Sequence, residues 1–161
     1  MPFASELMDR EPLTVQVELP VPDLARLLLS ERLDGVCVVK DGRCVGVVTT
    51  MDLIFQEKRV HLPSFVTVME MVLPVGNRQA LKELEKVTGS VVRDIMTADP
   101  VTVSFDASLA LIATLMVEQH LTLLPVVNGG RLVGVVTKPD VLRAAFVDVT
   151  QEEADTDKVR G

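Results

Sequence analysis

The sequence predicts an α+β protein built from two copies of one β-α-β-β-α unit with a helical insertion between them, and three observations carry that prediction. First, Val45-Gly46-Val47-Val48-Thr49 recurs 88 positions later as Val133-Gly134-Val135-Val136-Thr137. The same offset aligns Met8 with Met96, Pro12 with Pro100, Thr14-Val15 with Thr102-Val103, Gly42-Arg43 with Gly130-Arg131 and Asp52 with Asp140. Roughly 16 identities over about 43 ungapped positions exceed chance, and duplication is their simplest source. Second, each copy presents its local signals in the same strand, helix, hairpin, helix order. Third, 48% of the 161 residues are hydrophobic, enough to bury a core, and with only 3% aromatic that core must be aliphatic.

The second copy shows the elements most plainly. Thr102-Val103-Ser104-Phe105 reads as a short strand, and Asp106-Ala107-Ser108 supplies capping chemistry for a helix with apolar residues at Leu109, Ile112, Ala113, Met116 and Val117. Leu123 to Val127 and Arg131 to Val136 are apolar runs joined by the turn Asn128-Gly129-Gly130, a hairpin signal. A second helix follows from Pro139 to Val147, with proline near the first turn, where its missing N–H costs little. In the first copy, Val36 to Val39, Asp41-Gly42 and Cys44 to Val48 form the matching hairpin. One unit alone leaves a face of its small sheet uncovered, and two packed together bury it.

These signals divide the chain into a first repeat (1–60), a helical insertion (61–90), a second repeat (91–148) and a flexible acidic tail (149–161). The insertion predicts an apolar helix over 64–73 and a charged one over 77–88. Its apolar residues, among them Phe65, Val68, Met69 and Val72, exceed what one helix face needs, so it either docks on the core or lines a subunit contact.

Charge and composition exclude several partners. A net charge of −7 and a pI near 4.8 repel phosphate backbones, and without Trp or Tyr the base-stacking platforms of single-strand binders are missing, so nucleic acid is not expected. No run approaches the ~18–20 apolar residues that span a bilayer, and the start, with Glu6 and Asp9, does not read as a secretory signal. Cys37 and Cys44 sit in Val-rich runs as small hydrophobes, which points to the cytoplasm. His61 and His120 stand alone, so no metal site is expected. There is no nucleophile elbow, no phosphate-binding Gly-x-x-x-x-Gly-Lys loop and no Cys/His/Asp constellation at catalytic spacing, which argues against an enzyme.

Asp94-Ile95-Met96-Thr97, Asp99-Pro100-Val101-Thr102-Val103, Leu124-Pro125-Val126-Val127 and Gly134-Val135-Val136-Thr137-Lys138-Pro139-Asp140 resemble, in order and spacing, the successive signatures of the CBS (cystathionine-β-synthase) domain. Their recurrence in both copies is similar to a stand-alone CBS pair, or Bateman module. That resemblance implies two units related by pseudo-twofold symmetry, a cleft between them for AMP, ADP, ATP or S-adenosylmethionine, and a homodimer that regulates a partner protein. The nucleotide would be a regulatory ligand and not a cofactor. On the Gly-x-x-Thr-x-x-Asp pattern, Asp52 and Asp140 would hold ribose hydroxyls and Thr49 and Thr137 phosphate. Thr14 and Thr102 would lie near the adenine, walled by Met8, Ile95 and Met96.

The chemistry of these residues agrees. A carboxylate has acceptors for both hydrogens of a cis-diol, and a Thr hydroxyl suits phosphate. Gly46 and Gly134 remove a side chain where a ligand can approach a strand. Thr-x-x-Asp is equally a variant of the helix capping box, and a strand glycine equally marks a bulge. The copies also depart from the family pattern. Asp9 replaces a Thr, Cys37 replaces a Pro, and Thr122 and Asp34 stand where a basic residue often faces phosphate. Lys138 is a candidate phosphate partner or a merely solvated lysine. With few cations beside Asp52 and Asp140, a ligand with few phosphates or none is expected over ATP. The competing reading is a ligand-free dimeric scaffold that regulates a partner.

Overall fold

The computed structural model describes residues 2–56 and 90–147, so the two helices expected within the insertion, and the acidic tail, lie outside them. In chain order the elements are α1 (Ala4–Leu7), β1 (Thr14–Val15), α2 (Val21–Glu31), β2 (Gly35–Lys40), β3 (Arg43–Thr49), α3 (50–56), α4 (Val92–Ile95), β4 (Thr97–Ala98), β5 (Val103–Ser104), α5 (Leu109–Glu118), β6 (Leu123–Asn128), β7 (Arg131–Thr137) and α6 (Lys138–Leu142), which widens into a π-helical segment over Arg143–Val147. The β-α-β-β-α order expected of each copy is present twice. Among the described residues no helix is long and apolar enough to cross a membrane.

Residues group into two compact units that cross the repeat boundaries. Among the described residues the first unit comprises 14–41, 45–56 and 90–99, and the second comprises 2–13, 42–44 and 100–147. The segment that leads into each repeat therefore belongs with the other repeat's sheet. In the first unit the strand order is β1-β2-β3-β4, and in the second it is β5-β6-β7.

Each sheet starts the same way. β1 runs parallel to β2 with Val15 opposite Val38, and β5 runs parallel to β6 with Val103 opposite Val126. The hairpins close through two-residue turns with both residues left-handed: φ is 54° and 77° at Asp41 and Gly42, and 59° and 79° at Gly129 and Gly130. That is the primed turn whose twist matches paired strands, and it explains why glycine or aspartate occupies these positions. Within β6 and β7 the register steps from Val126–Gly134 to Val127–Leu132, leaving Val133 as the extra residue of a β-bulge.

The helices follow from caps and periodicity. Ser108 Oγ accepts the Leu111 N–H at 3.2 Å and starts α5, while Pro20 and Pro22 start α2 where no N–H is needed. Val21, Leu24 and Leu28 face one core, and Ile112 and Met116 face the other. Val117, expected on the inner face, is 74% exposed, because one residue past Met116 is about 100° further around the helix. A residue with φ of 54° follows each helix, Arg32 as the C-cap of α2 and His120 directly after Gln119, the C-cap of α5.

The two cores match position by position. Val15, Leu24, Leu28, Val36, Val38, Val48 and Val92 in the first unit correspond at the 88-residue offset to Val103, Ile112, Met116, Leu124, Val126, Val136 and Ala4 in the second. Leu24 and Ile112 are both fully buried. Replacing either by alanine is expected to cost about 2–5 kcal/mol in urea unfolding, through lost burial and a residual cavity. Leu29→Ala, at a residue 78% exposed, should cost less than about 0.5 kcal/mol, and equal losses at all three positions would contradict this core assignment.

Candidate functional site

Each unit builds its candidate site where the second hairpin strand runs into the following helix. In the second unit this is the β7–α6 corner. The Thr137 N–H donates to Asp140 Oδ2 at 2.8 Å and the Thr137 hydroxyl donates to the same oxygen at 2.9 Å. In the first unit the Thr49 N–H and hydroxyl donate to Asp52 Oδ2 at 2.8 and 3.1 Å, and the Asp52 N–H approaches Thr49 Oγ1 at 3.4 Å. Thr-x-x-Asp thus forms a reciprocal helix cap in both units. The capping role weighed from the sequence is real, and it fixes the rotamer of each carboxylate through Oδ2.

The other carboxylate oxygen distinguishes the two corners. Asp140 Oδ1 accepts a hydrogen bond from Arg143 Nη2 at 2.5 Å, one helical turn on, with the Asp140 side chain 12% and the Arg143 side chain 62% exposed. At the offset of 88, the residue matching Arg143 is Phe55. This pair follows ordinary i,i+3 helix spacing and was legible in principle.

The methionines lie against the glycines of the opposite copy. Met8 packs on Gly134, and Asp9 exchanges both backbone hydrogen bonds with Val135, at 2.9 and 3.0 Å. Met96 packs on Gly46, and β4 pairs antiparallel with β3 through Thr97–Val47 and Ala98–Gly46. The room left by each missing side chain is therefore taken by a methionine and a crossing backbone. Met8 also rests against the second unit's core, and Ile95 and Met96 against the first unit's.

The structure sorts the other expected residues by unit. The second unit holds Met8, Thr102, Thr122, Gly134, Thr137, Lys138 and Asp140, and the first holds Thr14, Gly46, Thr49, Asp52, Ile95 and Met96. Thr122 precedes Leu123, the register partner of Thr137, and so stands at the same end of the sheet as the cap. Asp34 holds the matching place in the first unit, where its carbonyl accepts the Thr50 N–H at 2.8 Å. Thr14 lies opposite Cys37, and Thr102 is exposed just before β5. Lys138 is exposed beside the Thr137 cap.

The glycines differ in how tightly they are filled. A Cβ at Gly134 would lie 2.8 Å from the Asp9 carbonyl oxygen, whereas one at Gly46 would lie 3.1 Å from the Thr97 carbonyl oxygen. A flexible methionine can yield, but paired backbone cannot do so cheaply. Gly134→Ala is expected to lower stability by about 1–3 kcal/mol and Gly46→Ala by clearly less, as read by denaturant midpoints. The reverse order would refute the crossing geometry.

With this geometry in place, comparison with known proteins is direct. The CBS domain family matches residues 4–58 and 92–146. Uncharacterized protein MJ1426 of Methanocaldococcus jannaschii is 28% identical over 145 residues, covering 84% of this chain and 86% of that protein. The chloroplastic CBS domain-containing protein CBSX2 of Arabidopsis thaliana is 30% identical over 138 residues, or 82% of this chain, which spans 58% of that relative's length. The crystal structure of CBSX2 in complex with AMP superposes with a TM-score of 0.72 at 27% identity, covering 93% of this chain and 99% of that one. The CBS domain pair of protein MJ0100, solved with 5-methylthioadenosine and S-adenosyl-L-methionine, shares the fold at a TM-score of 0.63 and 20% identity, over 89% of this chain and 95% of that one. Matched in both copies, each with the β-α-β-β-α order, the chain belongs to the CBS domain family as a tandem pair.

Proposed function

We propose that this chain is a non-enzymatic regulatory module that senses an adenosine-type nucleotide at its Thr-x-x-Asp corners. One observation carries the reading. In both units the cap occupies only Oδ2 of the aspartate, so a rigidly held carboxylate keeps a second oxygen with acceptor capacity for a ribose hydroxyl. Its neighbours supply the rest of a nucleotide's needs. A bound phosphate would draw the Thr49 and Thr137 hydroxyl protons from Asp52 and Asp140, whose Oδ2 atoms keep the backbone N–H of the cap, and Met8, Ile95 and Met96 offer soft apolar surface for a base. The AMP-bound CBSX2 structure supports the ligand class. A ligand of few phosphates or none is favoured over ATP, since among the described residues Lys138 and Arg143 bring cations to the Asp140 corner and their counterparts at the other corner are Thr50 and Phe55. The module uses no cofactor and works in the cytoplasm, where Cys37 and Cys44 serve as small apolar residues of β2 and β3.

A second reading, a ligand-free scaffold that regulates a partner, draws on the same caps, because they give the aspartates a structural task whether or not a ligand binds. Thermal and urea melts separate the two. AMP or S-adenosylmethionine at 100 times its dissociation constant is expected to add roughly 2.7 kcal/mol of stability. An unchanged midpoint with AMP, ATP, adenosine and S-adenosylmethionine alike would leave the scaffold.

The module works as a homodimer in this proposal. Ile54 and Leu142 occupy matching helix positions and are 59% and 57% exposed, with Met51 and Phe55 beside the first at 65% and 57%. Apolar side chains repeated at equivalent places of both copies fit a second copy of the chain better than a monomer in water. Sedimentation at micromolar concentration should give a dimer, and Ile54→Glu with Leu142→Glu should give monomers that keep the wild-type circular dichroism. A monomeric wild type would defeat the assignment.

A further inference from the structure

We propose that the two corners are matched to ligands of different charge: the Asp140 corner takes an adenosine ligand carrying phosphate, and the Asp52 corner takes an uncharged adenosine ligand. This rests on the nucleotide-sensing reading and adds to it which chemistry each site selects.

The asymmetry lies at four matched positions. Thr122, Lys138, Asp140 and Arg143 carry a formal charge of +1, whereas Asp34, Thr50, Asp52 and Phe55 carry −2. Position, not composition alone, makes this count. Arg143 is hydrogen-bonded to Asp140 Oδ1, Lys138 directly follows the capping Thr137, and Thr122 stands at the sheet end that Thr137 closes. In the first unit the Asp34 carbonyl holds the Thr50 N–H, so the chain of this acidic residue meets the start of the helix that carries Asp52. Asp9 adds a carboxylate to the second unit, but its Oδ1 accepts the Glu11 N–H at 3.0 Å and is occupied within its own turn.

Arg143 is then an exchangeable counter-ion. Its guanidinium has five donors in a fork suited to phosphate, and the pair with Asp140 uses Nη2. A ribose hydroxyl on Asp140 Oδ1 shares or takes over the acceptor that Arg143 uses, and the arginine's 62% exposed side chain can turn to the ligand's phosphate. The charge that pairs with Asp140 thereby becomes the charge that holds the phosphate. At the Asp52 corner Phe55 stands at Arg143's position, and a phosphate there would meet Asp34 and Asp52 together. An uncharged 5′ substituent avoids that repulsion.

Calorimetry on the full chain with AMP and adenosine tests this, using Asp52→Asn and Asp140→Asn to silence one corner at a time. Asparagine keeps an acceptor for the cap, and unchanged melting of the ligand-free variants checks that it does. With Asp52→Asn, AMP should bind about tenfold or more tightly than adenosine, and adding Arg143→Ala should reduce that ratio to about twofold or less. With Asp140→Asn, adenosine should bind at least as tightly as AMP, and adding Phe55→Arg should turn the preference toward AMP. The same AMP-to-adenosine ratio in both single-site proteins, or a ratio indifferent to Arg143, would overturn the charge assignment while leaving nucleotide sensing intact. No heat with either ligand in the wild type would overturn the sensing reading, and the charge assignment with it.

Discussion

An uncovered sheet edge is the constraint on which the rest of this structure depends. β3 and β7 each pair with their hairpin partner on one side and would otherwise present a row of unpaired N–H and C=O groups on the other. In each unit that edge is met by the segment leading into the other repeat. α4 docks through the Val92 N–H on the Leu19 carbonyl and the Arg93 N–H on the Val17 carbonyl, at 2.9 and 3.0 Å. α1 repeats the arrangement through Ala4 on Ala107 and Ser5 on Phe105, at 2.8 and 2.9 Å. The backbone then turns alongside the open strand, at Thr97–Ala98 in one unit and Asp9 in the other. Neither repeat closes its own sheet, which gives duplication a mechanical reason. The glycines follow from the same constraint, since a Cβ at Gly134 or Gly46 would intrude on the crossing chain.

How far the sequence revealed this depends on whether a feature leaves a periodic or local mark. The hairpins were legible because a left-handed two-residue turn admits few residues, and Asp41-Gly42 and Gly129-Gly130 are among them. Helix α5 was legible because Ser108 precedes an apolar stripe. The exchange of leading segments was not. The offset of 88 equates Met8 with Met96 but is silent on which sheet either covers, and a four-residue helical turn followed by one or two bridge residues carries no period to read. The same short reach hid a further purpose of the glycines, which the pattern assigned to a ligand or a bulge: Met8 lies on Gly134 and Met96 on Gly46, and Gly134 also adjoins the bulge at Val133.

The Thr-x-x-Asp motif shows why a structural and a functional reading of one motif need not exclude each other. A cap uses one oxygen of the carboxylate and immobilises the side chain, so the rotamer entropy that binding would otherwise cost is already spent in folding. What remains is an acceptor aimed by the backbone. Its occupant in the second unit, Arg143, is held by an ion pair with one partner largely exposed, an interaction worth at most about 1 kcal/mol because water screens it and two long side chains must be ordered. Such a pair keeps the carboxylate compensated without locking it against a better partner.

Where the copies agree and where they differ follows one physical division. They agree at positions fixed by backbone geometry: the second left-handed turn residue, Gly42 and Gly130, the glycines under the crossing chain and the two Thr-Asp caps. In the cores they differ by exchanges such as Leu24 for Ile112 and Leu28 for Met116, which keep apolar character and similar volume and so leave the packing tolerable. At the corners they differ in charge, with Arg143 against Phe55, Lys138 against Thr50 and Thr122 against Asp34. Charge at a partly solvated helix start has little hold on the fold, because solvent screening makes such pairs nearly neutral for stability. It has a strong hold on a bound phosphate, whose whole charge must be balanced where it sits. The duplicated architecture is thus rigid in the features that form a corner and free in the features that decide what the corner accepts.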